Sequence, residues 1–233
     1  MLNIIHMKSA GIIQVRMDST RYPSKAVQPI LGKPVLWHVI NRAKKINIPI
    51  IVATSNRTID DPIEKITNES NTDCFRGSFE DVLDRYYQAA KKFKLDLIYR
   101  ITADTPLIDP RFCRKMVEIF EKGKYDYVRF GYNTVGIGME GITFTALEKA
   151  WFNSKNAEER EHVTMFTKNN PKIFRNHLIE SNYNLGNFYW SVETPYDFEF
   201  VKNIFVEFQD KEIFYTEDIL KLFEKKPNLQ KTE

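Results

Sequence analysis

The chain alternates short apolar runs with amphipathic segments at helical spacing, and this order limits the fold more than any other feature of the sequence. Strands are predicted at 10–15, 48–54, 95–102 and 125–130, with a shorter one at "CFRGS" (74–78). Helices are predicted at 34–45, at "DDPIEKI" (60–66), at 79–93 and from Arg111 to about Glu121. Repeated strand–loop–helix units build a parallel sheet with helices on both faces. We therefore predict an α/β fold with three layers and a mostly parallel sheet.

From about residue 131 the pattern becomes less regular. "GYNTVGIGMEG" (131–141) is rich in glycine, and two helical segments follow it, "TALEKAWFNS" (145–154) and "AEEREHVTMFTKNN" (157–170). Further strands are predicted at 173–180 and at "NFYWSV" (187–192), and further helices from Pro195 to about Phe208 and at about 216–225. There is no internal repeat, and we predict a single domain over 1–233.

Composition excludes several classes of protein. The net charge is only +3, and the lysine pairs are scattered, so no basic stripe predicts binding to nucleic acid. No apolar run is long enough for a membrane span, and the first residues lack the features of a secretory signal, so we expect no membrane association. Cys74 and Cys113 stand alone, which argues against structural zinc or a disulfide framework and favours a cytoplasmic protein.

The first predicted strand runs into a loop with three cations. In "IIQVRMDSTRYPSK" (12–25) the loop carries Arg16, Arg21 and Lys25, with the hydroxyls of Ser19 and Thr20 between them. Arginine and lysine both bind phosphate oxygens, and hydroxyls and backbone N–H groups can add to an anion site. Lys33, just before a predicted helix, is a candidate fourth cation. The loop predicts either a polyphosphate site or a solvated surface loop.

A second unusual loop follows the strand at 95–102. In "ITADTPLID" (101–109) Asp109 precedes Pro110, as expected of a helix cap, which leaves Asp104 as a candidate magnesium ligand. Glu193 in "WSVETPYD" is a candidate second ligand, or alternatively an acid that stabilises a helix N-terminus behind the cap Thr194. Since both loops follow strands of a parallel sheet, we expect them at the same edge of that sheet.

One motif is misleading. "GIGMEG" (136–141) matches the G-x-G-x-x-G pattern of dinucleotide-binding proteins, but five residues separate it from the preceding strand. Glu140 would also place a carboxylate beside a pyrophosphate. We interpret this segment as the wall of a pocket.

The stretch "QVRMDSTRYPSKAVQPILGKPVL" (14–36) resembles the nucleotide-binding signature of the cytidylyltransferases that make CMP-activated acidic sugars, such as ketodeoxyoctonate and acylneuraminate. The likeness is greatest to the SpsF-like group of spore-coat polysaccharide biosynthesis proteins. Stretches similar to this group follow in the expected order and reach to about Val201: "DDPIEKI", "CFRGSFEDVLDRYYQAA", "RITADTPLIDP", "ALEKAW", "EREHVT" and "SVETPYDFE".

The resemblance implies a Rossmann-like sheet of the nucleotide-diphospho-sugar transferase type and a set of site residues. Arg16, Lys25 and Asp104 would be catalytic. The residues implied to bind the nucleotide are Gln14, Arg16, Ser19, Thr20, Arg21, Lys25, Arg76, Gly77, Ser78 and Thr102. Those implied to face the acceptor are Glu140, Glu161 and His162, although His162 is equally well explained as an ordinary helix histidine. Asp104 and Glu193 would hold Mg²⁺.

The implied reaction is the transfer of CMP from CTP to an acidic sugar or a similar acceptor, with release of pyrophosphate, for the synthesis of a surface polysaccharide or glycoconjugate. The segment at about 131–190 is expected to bind the acceptor and to form a homodimer. Alternatives are a glycosyltransferase of the same architecture and a nucleotide-binding protein without catalysis. The sequence departs from the family pattern at Asp18, Tyr22, Ser24 and Gly138, and it has Glu193 where aspartate is usual.

Overall fold

A mixed β-sheet forms the middle layer of the protein in a computed structural model that describes residues 7–131, 136–180, 185 and 188–230. The strands are β1 Ser9–Gln14, β2 Pro29–Ile30, β3 Lys33–Pro34, β4 Ile50–Ser55, β5 Asp73–Gly77, β6 Leu97–Thr102, β7 Tyr127–Phe130, β8 Glu140–Thr143 and β9 Asn176–Ile179. Within the described residues, β2 and β3 form a small hairpin and the other seven strands form one sheet in the order β5-β4-β1-β6-β8-β7-β9.

Most neighbouring strands of this sheet are parallel. The pairs β5–β4, β4–β1, β1–β6 and β7–β9 are parallel, whereas β8 is antiparallel to both of its neighbours. The predicted three-layer α/β fold with a mostly parallel sheet is therefore confirmed.

Helices cover both faces of the sheet. They are α1 Val35–Lys44, α2 Asp61–Glu69, α3 Val82–Phe93, α4 Pro110–Lys122, α5 Phe144–Asn153, α6 Ala157–Glu161, α7 Met165–Asn169, α8 Pro195–Glu207 and α9 Thr216–Lys225. Consecutive strand residues point to opposite faces, so Ile12 packs in the core beneath α3 and α5 while Ile13 packs beneath α1, α4 and α8. None of the helices in the described part of the chain is long and apolar enough to cross a bilayer.

Two predicted helix caps are confirmed. The side chain of Asp109 accepts hydrogen bonds from the backbone N–H groups of Arg111 and Phe112 at the start of α4. Thr194 and Asp197 form a reciprocal capping box at the start of α8. These side chains satisfy backbone donors that have no partner inside a helix.

The structure corrects the prediction of a strand at 187–192. Residues 188–192 form no strand; Trp190 is instead buried against Phe188 and Phe223, so the aromatic residues reflect packing beneath α9. The predicted helix at 157–170 is also divided, because the helical conformation is interrupted at His162 between α6 and α7.

Strand β8 was not predicted because its residues continue a glycine-rich segment. A Cβ atom on Gly141 would lie 2.8 Å from Cδ1 of Phe120, so the glycine lets α4 pack closely on this strand. Gly136 has a φ of +93°, and a Cβ there would lie 2.6 Å from the carbonyl carbon of Trp190. The glycine-rich segment therefore allows other parts of the chain to pack close to its backbone. The role predicted for 131–190 in acceptor binding and dimerisation stays a prediction; its described parts contribute β8 and β9 to the main sheet.

The loop after β1 is held to the rest of the sheet edge by Asp60. This carboxylate is fully buried and accepts hydrogen bonds from the backbone N–H of Met17, at 2.7 Å, and from the hydroxyl of Ser55. Ser24 adopts a left-handed conformation with φ of 60°, and its N–H donates to the carbonyl of Met17 at 2.8 Å. The loop is thus closed on itself and tied to β4.

We expect Asp60→Ala to lower the free energy of unfolding by about 1–3 kcal/mol, because it leaves the buried N–H of Met17 without a partner. The neighbouring Asp61→Ala is the matched control. Asp61 is exposed and pairs with Arg76, an interaction worth at most about 1 kcal/mol. Urea unfolding of both variants measures the difference, and equal losses would contradict the anchoring role of Asp60.

Candidate active site

A cavity of about 220 Å³ lies at the carboxyl ends of β1 and β6. The loops that follow these two strands both line it, as their position in a parallel sheet predicts. Its lining residues include seven of the predicted nucleotide-binding residues together with Asp104 and Glu161: Gln14, Arg16, Ser19, Thr20, Arg21, Lys25 and Thr102. The structure therefore brings together most of the predicted site.

Each cation of the first loop forms an ion pair with a different acid. The Lys25 Nζ atom lies 3.2 Å from Oδ2 of Asp104 and 2.6 Å from the carbonyl oxygen of Val192. The Arg16 Nη2 atom lies 3.0 Å from Oε1 of Glu161.

The third pair joins Arg21 to Glu193 at the mouth of the cavity, where the arginine side chain is 66% exposed. Ion pairs in contact with water contribute only about 0–1 kcal/mol. A ligand that carries several negative charges can therefore compete with the acids for these cations.

Arg16 is also held by the backbone and by an aromatic ring. Its Nη1 atom donates to the carbonyl of Phe79 at 3.1 Å, and its guanidinium carbon lies 5.0 Å from the centre of the Phe79 ring. Arg57 lies 4.0 Å from the same ring and donates to Asp18 at 2.9 Å. These contacts join the first loop to the segments at 57 and 79.

Arg85 is a cavity residue that the sequence analysis missed. Its side chain is 1% exposed, and its Nη1 atom donates to the carbonyl of Ser78 at 3.0 Å. It forms no ion pair with any residue that the structure describes, and its Nε atom is buried without a hydrogen-bond partner there. Burial and the nearby charge of Arg16 lower the pKa of Arg85 to about 10, so the side chain remains charged at neutral pH. In the sequence, Arg85 could have been identified as a charged residue within the apolar stripe of α3.

Several other predicted residues do not line this cavity. Arg76 does not enter the cavity, because its Nη1 atom lies 2.7 Å from both Asp61 and Glu64 on α2. Gly77 and Ser78 also lie outside the lining, although Ser78 touches it through Arg85. Lys33 packs over the ring of Trp37 and lines another cavity. The nucleotide-binding roles implied for Arg76, Gly77 and Ser78, and the role of Lys33 as a fourth cation, stay predictions.

The predicted acceptor residues do not lie together in the structure. Glu161 lines the first cavity, whereas His162 is exposed at the end of α6 and lines neither of the two cavities described in this section. Glu140 lines a second cavity of about 350 Å³, which shares Thr102 with the first and whose walls include Gly136, Gly138 and Lys168. The predicted pocket wall at 136–141 is thus found in the structure.

The carboxylate of Glu140 is already occupied by protein groups. It accepts hydrogen bonds from Tyr127 Oη, from Arg100 Nη1 at 2.6 Å and from Thr164 Oγ1 at 3.0 Å. Although burial favours the protonated acid, the charge of Arg100 and these hydrogen bonds hold the pKa of Glu140 below its ordinary value. Glu140 is therefore ionised at neutral pH and has its oxygens engaged within the protein, and its role toward an acceptor stays a prediction.

The two predicted metal ligands lie on segments that meet at the cavity. The N–H of Val192 donates to the carbonyl of Asp104 at 2.7 Å, which brings Glu193 close to the end of β6. Burial, a hydrogen bond with Glu193 and the charge of Asp104 raise the pKa of Tyr189. Among the described residues, no three His, Cys, Asp or Glu side chains form a metal-binding group. Two carboxylates completed by phosphate oxygens and water nevertheless match what Mg²⁺ prefers.

Comparison with known proteins gives a consistent result. The family model described as Cytidylyltransferase matches residues 10–231. The chain is 40% identical over 176 residues to the uncharacterized protein MJ1063 of Methanocaldococcus jannaschii, covering 75% of this chain and 72% of that protein. It is 26% identical to the spore coat polysaccharide biosynthesis protein SpsF of Bacillus subtilis, over 93% of this chain and 94% of that protein. A solved cytidylyltransferase from Leptospira borgpetersenii superposes with a TM-score of 0.91 at 28% identity, over 98% of both chains.

The three cations of the first loop predict that the cavity binds a small polyanion. We expect inorganic pyrophosphate to stabilise the protein by about 2.7 kcal/mol at 100 times its Kd. Lys25→Met should largely remove this stabilisation, and Lys65→Met, at a position 77% exposed on α2, should retain it. Thermal unfolding with and without pyrophosphate tests this, and equal stabilisation of wild type and Lys25→Met would contradict it.

Proposed function

The chain belongs to the cytidylyltransferase family, and we propose that it transfers CMP from CTP to an acidic sugar or a similar oxyanion acceptor in the assembly of a surface polysaccharide or glycoconjugate. Pyrophosphate is the second product. The observation that carries this proposal is the cavity at the ends of β1 and β6, where three cations are paired with three separate acids. A family match over most of the chain sets aside the glycosyltransferase alternative.

In the proposed reaction an acceptor oxygen attacks the α-phosphorus of CTP. The new bond joins that oxygen to phosphorus, the bond from phosphorus to the bridging oxygen of pyrophosphate breaks, and the acceptor proton passes to solvent. Lys25 and Arg16 line the cavity and stabilise the negative charge that builds up on the phosphate oxygens. Arg21 lies exposed at the mouth, where it would contact the departing pyrophosphate.

We propose that Asp104 and Glu193 hold Mg²⁺, which neutralises charge on the phosphate groups. In the alternative, Glu193 stabilises the N-terminus of α8 from the position before the cap Thr194, which forms its capping box with Asp197. In the present structure Lys25 and Arg21 are the partners of the two acids. Binding of magnesium and nucleotide would give each acid a new counter-ion and each cation a phosphate.

A homodimer and a cytoplasmic location are further parts of this proposal. Among the described strands β9 lies at one edge of the sheet. Leu178 on it and the nearby Ile173 are exposed apolar side chains, which supports a contact with a second copy. Cys74 and Cys113 are free thiols, as a reducing compartment allows.

The direct test is pyrophosphate release from CTP with a panel of keto-acid sugars, other acidic sugars and phosphonates. We expect one acceptor to support turnover with CTP and Mg²⁺, and far less turnover with ATP, GTP or UTP. Lys25→Ala should lower turnover at least about a hundredfold, as the loss of one preorganised charge donor does. Asp104→Asn and Glu193→Gln should abolish the magnesium-dependent reaction, and Glu193→Asp should retain it.

The matched control is Glu199→Gln, which removes an exposed acid of α8 that pairs with Lys202. Near wild-type turnover of Lys25→Ala would contradict the catalytic assignment. CTP binding without turnover on any acceptor would instead favour a nucleotide-binding protein without catalysis. Unchanged activity of Glu193→Gln at saturating magnesium would remove that residue from the proposed metal site.

A further inference from the structure

A row of polar side chains runs across three strands beneath the two cavities. In the β1–β6 pair Gln14 lies opposite Thr102, and in the β6–β8 pair Arg100 lies opposite Glu140. This register places Gln14, Arg100 and Glu140 on the face of the sheet that α3 and α5 cover, together with Tyr127.

Hydrogen bonds connect the row without interruption. Glu140 accepts from Tyr127 Oη, from Thr164 Oγ1 at 3.0 Å and from Arg100 Nη1 at 2.6 Å. Arg100 in turn donates from Nε to the side-chain oxygen of Gln14 at 3.1 Å. The Glu140 carboxylate thus holds the Arg100 guanidinium in place, and this guanidinium contacts the Gln14 amide.

This contact settles which way the Gln14 amide points. A guanidinium can only donate hydrogen bonds, so the amide atom that faces Arg100 must be the oxygen. The amide nitrogen then points away from Arg100. It makes no hydrogen bond to any residue within 7–131, 136–180 or 188–230, and it is not among the buried polar atoms closed off from solvent. Gln14 lines the first cavity, whereas Arg100 and Glu140 do not.

We infer that Arg100 and Glu140 are positioning residues that hold the Gln14 amide with its NH₂ group directed into the cavity as a hydrogen-bond donor to the nucleotide. The inference rests on the proposed function, because it takes the ligand of this cavity to be CTP. Arg100 and Glu140 act only through Gln14 and touch no substrate in the first cavity.

The alternative is that the Arg100–Glu140 pair only joins β6 to β8. Both ideas predict a loss of stability when the pair is removed, so stability alone does not distinguish them. They differ in whether the effect on CTP binding depends on Gln14. A cycle of variants measures this dependence directly.

The cycle combines Gln14→Leu with the double change Arg100→Leu and Glu140→Leu. The double change keeps the net charge and leaves no buried charge without a partner. Binding of CTP with Mg²⁺ is measured by calorimetry for the wild type, Gln14→Leu, the double variant and the triple variant, and urea unfolding confirms that each is folded.

We expect the double change to weaken CTP binding by about 2- to 10-fold in the wild-type background, the range for one hydrogen bond to a neutral group. In the Gln14→Leu background it should cause no further loss. An equal loss in both backgrounds, or no loss in the wild type, would overturn the inference. If the variant with two leucines does not fold, Arg100→Met with Glu140→Gln replaces it, because the glutamine keeps a hydrogen-bond acceptor for Tyr127. The same outcomes then support or overturn the inference. Failure of the wild type to bind CTP would overturn the proposed function, and this inference with it.

Discussion

The site depends on the contacts of one ammonium group, that of Lys25. It lies 3.2 Å from the carboxylate of Asp104 and 2.6 Å from the carbonyl of Val192, and these residues belong to three distant parts of the chain. The N–H of Val192 also donates to the carbonyl of Asp104 at 2.7 Å. The loop after β1, the end of β6 and the segment before α8 therefore meet at a single point, and the cavity is formed around it.

The ion pairs of the site have a simple consequence for binding. Arg16, Arg21 and Lys25 are each neutralised by an acid, so the site avoids the cost of several uncompensated cations near one another. Arg21 is the most exposed of the three cations, so its pair with Glu193 contributes little to stability. Arg85 differs because it is buried without an acid partner among the described residues, and an incoming phosphate would supply the missing negative charge.

The parts of the fold that were predicted correctly rest on local signals. The apolar strands β1, β4 and β6, the cap at Asp109 and the placement of two loops at one sheet edge follow from hydrophobic spacing and the geometry of parallel sheets. The resemblance to a family added the identities of site residues such as Glu161, which lies far away in sequence.

The remaining features depend on tertiary contacts that spacing does not reveal. Arg76 turns toward Asp61 and Glu64 instead of the cavity, and nothing in its own neighbourhood of the sequence indicates that choice. β8 follows a glycine-rich segment, and its one glycine, Gly141, is explained only by the packing of Phe120 on it. The aromatic run at 188–192 packs in the interior without forming a strand. Hydrogen-bond networks such as Gln14–Arg100–Glu140 can be identified only when the register of the strands is known.

The central claim is that the acids and cations of the site exchange partners when magnesium and nucleotide bind. The most direct measurement is a crystal structure of the protein with CTP and Mg²⁺. We expect Lys25 Nζ to have left Asp104 for a phosphate oxygen of CTP, and the Asp104 carboxylate to face the metal. A structure in which Lys25 and Asp104 remain paired at about their present 3.2 Å, with the triphosphate bound elsewhere, would contradict this account.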